Sequence, residues 1–413
     1  MRTLLQLLEL WFFERFRGLT MLIESIRTGS WLSPRRLRLY PLIFLTASLA
    51  LTLYAARLGQ GVLDPSGKAL GTDFMSFWSV SHLLWQGQPA AAYDHEALLA
   101  IQQSLAGADA PLYTWLYPPM ALLLVAPLAA MPYLPALLTW QGLTLVGYLS
   151  ALWRLLPERR ALLPMLAFAP VFLNLGHGQN AFLSVTLLGW GLILLPRRPW
   201  LAGVLLGALV YKPQLGLLLP IALAAGGHWR AFLAAALTVL ALAGLTYGLW
   251  GTEVWSAFFT QTAFARQMLE EGLVSWYKMI SVFAAARLLG ASVGLAWGLQ
   301  ALSGLVAATL VWRLWRGPAP LALKIAILPV ATLVAAPLAL DYDSALLAIT
   351  LATIVADGLR RGFLDWEISI LALAWLTPLF WRPLAMAMAL PLGTLVSLAL
   401  LWLIWRRSRK SIR

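Results

Sequence analysis

The chain has 413 residues, of which 61% are hydrophobic and only 11% charged, with a mean hydropathy of +0.78. Soluble domains carry about a quarter of their residues as charges, so this composition describes an integral membrane protein. The absence of cysteine excludes disulfides, thiolate nucleophiles and cysteine metal sites, and four scattered histidines argue against a histidine metal cluster.

The net charge of +13 comes from arginines at the edges of apolar runs rather than from a nucleic-acid-binding face. Arg2, Arg15, Arg17, Arg27, Arg35, Arg36 and Arg38 precede the first apolar run, and Arg406, Arg407, Arg409, Lys410 and Arg413 follow the last. Such flanks mark cytoplasmic ends of spans and attract anionic lipid headgroups.

Residues 4–26 align Leu4, Leu5, Leu8, Trp11, Phe12, Phe16, Leu19, Leu22, Ile23 and Ile26 on one helical stripe, interrupted by Glu9, Glu14, Arg15, Arg17 and Glu24. This pattern predicts a helix lying on the cytoplasmic face, within a 1–38 interfacial and basic segment. The first span is expected at 39–58, and the moderately polar stretch 59–117 should be an extracytoplasmic loop carrying short interfacial helices. Arginine groups at 154/159/160, 197/198, 230, 313/316 and 360/361 then alternate with polar turns at 176–180, 211–214, 250–290 and 340–343. Counting these alternations predicts an all-α bundle of about 12 spans with both termini cytoplasmic, a membrane domain over 39–405 and a basic tail over 406–413. Of the 17 acids, Glu158, Asp357, Asp365 and Glu367 fall in inner loops; Asp64, Asp73, Asp94, Glu96, Asp109, Glu253, Glu270, Glu271, Asp341 and Asp343 fall on the outer side. Acids at an outer rim favour a surface site over a conduction path, which would hold them near the midplane.

Six stretches concentrate chemistry on that side. In "GTDFMSFWSV" (71–80), Asp73 stands where an aromatic-faced helix should begin, as an N-cap or as a functional carboxylate. "LYPPM" (116–120) offers the Tyr117 hydroxyl at a proline-fixed boundary. "NLGHGQNAF" (174–182) gathers Asn174, His177, Gln179 and Asn180 in a turn able to contact sugar or phosphate. "VYKPQLG" (210–216) puts Lys212 between two apolar runs, with Gln214 beyond it, and a buried ammonium there calls for an anion. The 250–290 segment adds Arg266, Lys278 and Arg287 amid aromatics; Arg266 can pair with Glu270 at i,i+4, whereas Lys278 has no acid at helical spacing. "LDYD" (340–343) brings Asp341, Tyr342 and Asp343, which either cap the following helix or close the site opposite Asp73.

The ordered set "GTDFMSFWSVSHLLWQGQPAAAYD", "YPP", "GHGQNAFL", "YKPQLGLLLP" and "DYDSALL" resembles glycosyltransferase family 87, over most of the chain from Asp73 to Asp343. "SWYKMISVFAAARLLG" resembles the bacterial branch of that family, and "AAPLALDYD" departs from the Ser-Pro that many relatives carry before the Tyr-Asp pair. The resemblance implies a GT-C type multi-spanning bundle with an extracytoplasmic site. It also implies a sugar, such as the hexose mannose, on a polyprenyl-phosphate donor, and a bacterial cytoplasmic membrane location. Asp73 matches the family's base. Lys212, Lys278, Arg287 and His177 would meet the donor phosphate, and Tyr117, Gln179, Asn180, Gln214, Tyr342 and Asp343 the substrates. A glycan or glycolipid acceptor is expected, membrane lipids surround the protein, and no metal, cofactor or nucleic acid is required. The rival expectation is a transporter or flippase of lipid-linked saccharides.

Overall fold

The structure, a computed structural model, describes residues 18–59 and 61–410. The apolar stripe positions from Leu4 to Phe16, together with Arg2, Glu9, Glu14, Arg15, Arg17 and Arg413, lie outside the described residues. Among those described, every regular element is helical, and β geometry is confined to two isolated bridges, Leu63–Ala69 and Met279–Leu340.

A helix over 18–28 (α1) leads to Pro34–Leu58 (α2), Phe74–Trp85 (α3), His95–Ala106 (α4), Met120–Val125 (α5) and Tyr133–Leu155 (α6). Next come Leu162–Leu166 (α7), Ala169–His177 (α8), Ala181–Leu194 (α9), Pro199–Gly207 (α10) and Leu219–Ala225 (α11). The long Trp229–Glu271 (α12) is followed by Val282–Leu288 (α13), Val293–Arg316 (α14) and Leu321–Ala335 (α15). Leu347–Arg361 (α16), Glu367–Leu376 (α17), Trp381–Met388 (α18) and Leu392–Lys410 (α19) complete the chain.

Four of the described helices are long and apolar enough to cross a membrane, or five if the segments Glu367–Leu379 and Trp381–Met388, bent by 74°, form one broken span. That is fewer than the expected 12. Prolines and glycines cut the other apolar runs into pieces of 10–17 residues, such as Pro199–Tyr211 and Pro213–Ala225 on either side of Lys212. Broken helices survive at membrane depth only where neighbouring protein satisfies their freed backbone groups.

The core lies around α15 and α16. Ile325 to Ala335 are buried continuously, and 83% of the apolar window that includes α16 is inside the protein, against 6% for α2. The exposed side chains of α2, including Ile43, Leu51 and Leu53, therefore form a lipid-type outer face. Helices α6, α9, α10 and α12 pack successively along one side, and α13, α14, α15 and α19 along the other.

Two ends of α16 hold most of the buried charge. At its C-terminal end Arg407 bridges Asp357 at 2.8 Å and Glu367 at 2.5 Å. Asp357 and Glu367, expected in inner loops, are each 1% exposed. Nearby, α1 docks: Arg27 pairs with Asp365 at 2.6 Å and its carbonyl accepts from the Trp366 amide, while Ser369 donates to the Ile26 carbonyl. The N-terminal end of α16, about 22 Å away for its 15 residues, carries the turn Asp341–Leu346. Here Asp341 and Asp343, expected at an outer rim, are buried.

Candidate active site

The site begins with two glycine turns placed against each other. Helix α8 ends at His177, and Gly178 adopts φ +64, its amide reaching back to the Asn174 and Leu175 carbonyls. Such a left-handed C-cap favours glycine. Gly71, at φ +69, precedes α3. A β-carbon on Gly178 would lie 2.4 Å from Phe74 Cβ and 3.3 Å from Gly71 Cα. The closeness lets the Asp73 amide donate to the His177 carbonyl at 2.9 Å. Gly178→Ala is expected to cost about 1–3 kcal/mol and lower the melting temperature in detergent. Gly176→Ala, whose added carbon meets nothing within 4 Å, is the control expected to melt like the parent.

Asp73 occupies the N-cap position of α3, as the pattern indicated, but its side chain makes no cap hydrogen bond. Gln179 Nε2 instead donates to Oδ2 at 2.7 Å, and the Thr72 hydroxyl lies 3.4 Å from Oδ1. The carboxylate keeps 32% of its side-chain surface exposed. Gln179 is itself held, because its Oε1 accepts from the Tyr117 hydroxyl at 3.1 Å and from the Asn180 amide at 3.2 Å. Asn174 is fully buried and serves the turn: its Oδ1 accepts from the Ala181 amide and its Nδ2 donates to Gln141. The aromatic face of α3 packs inward, with Phe77 edge-on to Trp115, Tyr117 and Trp140.

His177 connects Asp73 to a residue that the sequence reading missed, Arg382. His177 Nδ1 lies 2.7 Å from the Thr72 hydroxyl and 4.0 Å from Asp73 Oδ1, while Arg382 Nη2 lies 3.1 Å from Nε2. Arg382 also clasps Asp341 through Nε and Nη2. Burial lowers the His177 pKa from its ordinary value; Asp73 opposes this, Arg382 adds to it, Asp341 opposes and Lys278 adds. Burial thus favours the neutral imidazole at this last residue of α8. Arg382 follows the bend between α17 and α18, and its sequence signal is an arginine-proline pair inside an apolar run, "LFWRPLAM".

Lys212 and Asp343 form a buried ion pair at 2.5 Å, with side chains 4% and 0% exposed. Lys212 also approaches Asn180 Oδ1 at 3.4 Å and lies 4.9 Å from the centre of the Tyr342 ring. The anion that Lys212 called for is thus supplied by the chain. Asp343 combines both suggested roles, since its Oδ2 accepts the Leu340 amide at 3.2 Å.

The remaining site candidates lie at increasing remove. Half-buried Lys278 acts electrostatically on His177 and forms no ion pair among the described residues. Gln214 makes no hydrogen bond to the cluster among the described residues. Arg287 stacks on Trp276 at 4.5 Å and donates to the Ala291 carbonyl at 2.6 Å, a packing arrangement rather than a reach toward Asp73. Arg266 pairs with Glu270 at 2.8 Å, as the i,i+4 spacing predicts.

A small hollow of about 10 Å³ lies against Asp341, lined mainly by apolar side chains including Trp276, Met279, Ile280, Trp381 and Leu392. Among the described residues, no three His, Asp or Glu side chains gather as a metal site would require. The cluster thus offers one accessible carboxylate held by an amide donor, a neutral imidazole beside it, and cations within the same neighbourhood. That set can accept a proton from a hydroxyl and stabilise an anion nearby.

No curated protein and no solved structure matches the chain. The model of glycosyltransferase family 87 matches residues 115–340, more than half of the sequence, and takes in Tyr117, His177, Gln179, Lys212 and Lys278. Asp73, Asp343 and Arg382 fall outside the matched segment and are joined to it by the contacts above. The chain belongs to glycosyltransferase family 87.

Proposed function

We propose that this glycosyltransferase moves a sugar, a hexose such as mannose, from a polyprenyl-phosphate donor to an acceptor hydroxyl with inversion. The acceptor oxygen attacks the anomeric carbon while Asp73 takes its proton. The bond from that carbon to the phosphate oxygen breaks, and its electron pair leaves with the phosphate. A cation beside the departing oxygen lowers the barrier. Lys278 forms no ion pair among the described residues, and Lys212 contributes through its pair with Asp343. Tyr117, Gln179 and Asn180 line the approach to Asp73.

The observation that carries this reading is the Asp73 carboxylate, one-third exposed and held by Gln179 instead of capping its own helix. Single displacement needs one such base, whereas glycoside hydrolysis usually wants two carboxylates flanking the bond. We place the site on the extracytoplasmic side of a bacterial cytoplasmic membrane, with both termini inside, and read the short apolar helices as paired, broken spans. This keeps 39–405 as one catalytic unit, with 59–117 as its first outer loop.

The buried Lys212–Asp343 pair is the one observation that would suit a carrier of lipid-linked saccharides, since such proteins place ionisable groups at depth. One experiment separates the two. Purified protein in nanodiscs is offered a panel of polyprenyl-phosphate sugars with glycolipid acceptors. The expected result is release of polyprenyl phosphate matched by glycosylated acceptor. Translocation of intact donor in proteoliposomes, with no cleavage of any donor, would replace this function with transport.

A further inference from the structure

We infer that Arg382 is a positioning residue for the base: by donating to Nε2 of His177 it fixes the imidazole proton on Nδ1, where it holds the Thr72 hydroxyl beside Asp73. A guanidinium has donors and no acceptor, so the 3.1 Å contact from Nη2 makes Nε2 the accepting nitrogen. A neutral imidazole must then carry its proton on Nδ1, 2.7 Å from the Thr72 oxygen. With its oxygen accepting that proton, Thr72 has its own hydrogen left to turn toward Asp73 Oδ1 at 3.4 Å. Asp73 thereby has one oxygen held by Gln179 and the other aligned by Thr72.

Arg382 can perform this task because Asp341 holds it from behind. Both carboxylate oxygens of Asp341 engage the guanidinium, a fork that lysine does not reproduce. A tie between α18 and the Asp341–Leu346 turn would need only that fork; the further contact to His177 is what couples it to the base. The groups facing the imidazole are Asp73 and Thr72 from the start of α3, Asp341 and the Tyr342 ring from the turn before α16, Arg382 from α18, and Lys278. Without Arg382, Nε2 would be free beside two carboxylates. His177 would take a second proton at higher pH, and an imidazolium 4.0 Å from Asp73 would make the carboxylate a poorer base.

The catalytic consequence rests on the reading of Asp73 as the base, but the tautomer does not, and it is measured on the resting protein. Nitrogen-15 histidine NMR of the full-length protein in detergent is expected to show His177 protonated on Nδ1 at neutral pH. In Arg382→Lys its titration midpoint is expected to rise by about one pH unit. The acidic limb of the transfer rate should follow it, with kcat down about tenfold and the donor KM within about twofold. A neutral His177 protonated on Nε2, or an unmoved midpoint in Arg382→Lys, overturns the inference; so does a raised KM with unchanged kcat, which would put Arg382 on the substrate. If Arg382 variants fail to fold, Thr72→Val carries the test. The Nδ1 tautomer kept with kcat reduced supports the inference, and full kcat overturns it. A wild-type protein inert toward every donor would sink the proposed function while leaving the NMR result to decide this point.

Discussion

Asp73→Asn is expected to reduce sugar transfer by about 10²- to 10⁴-fold while donor binding stays close to that of the parent. The substitution keeps the shape and still offers an oxygen to Gln179 Nε2. What it removes is the ability to take the acceptor's proton as the new bond forms. Because the carboxylate is one-third exposed and does not cap α3, the fold should not depend on its charge. Initial rates with saturating donor, alongside equilibrium binding of the lipid-linked sugar, provide the check. Transfer at the parental rate would remove Asp73 from the reaction, and equal losses of binding and rate would make it a substrate contact.

The second large effect concerns folding more than turnover. Lys212→Ala is expected to destabilise the protein by about 3–5 kcal/mol, because it leaves the fully buried Asp343 carboxylate without its cation. The double variant Lys212→Met, Asp343→Leu removes both charges and should recover most of that stability, since a buried pair often contributes little over apolar residues of similar size. Thermal unfolding in detergent, followed by size-exclusion fluorescence, distinguishes the cases. A single variant that melts with the parent would show that Asp343 finds another partner. Transfer that returns with stability in the double variant would make the pair purely structural, whereas a stable but inactive double variant would place it in the site.

These two residues also show how far the sequence could be read. Asp73 and the His177–Asn180 turn were legible because their signals are local: a carboxylate before an aromatic helix, and glycines around a polar string. Lys212 was legible as a costly charge, but its partner lies 131 positions away and no local spacing points to it. The string 174–180 was read as facing a ligand, yet Asn174 is spent on the Ala181 amide and Gln141; only packing decides which amide faces inward. Arg287, amid aromatics, was expected at the donor phosphate, but that setting does not encode the direction of its guanidinium, which stacks on Trp276. Arg382 was passed over because counting arginines as loop markers has no place for one inside an apolar run. The all-helical membrane character follows directly from composition. The number of spans does not, because proline and glycine breaks cut apolar runs into short helices of 10–17 residues.

Helix α12 has one such break. Its 43 residues would make a rod of about 64 Å, twice the ~30 Å hydrocarbon thickness of a bilayer. Gly251, at φ +69 and ψ −167, divides it into two pieces of about 33 and 30 Å, and the second is tied to α4 by the Gln261–His95 contact. A β-carbon at Gly251 would meet nothing within 4 Å, so the demand for glycine there is torsional rather than steric. The two rods are consequently independent in length. Residues added to or removed from 229–250 would alter the first rod alone, whereas the same change in 252–271 would alter only the reach of the second beyond its contact with α4.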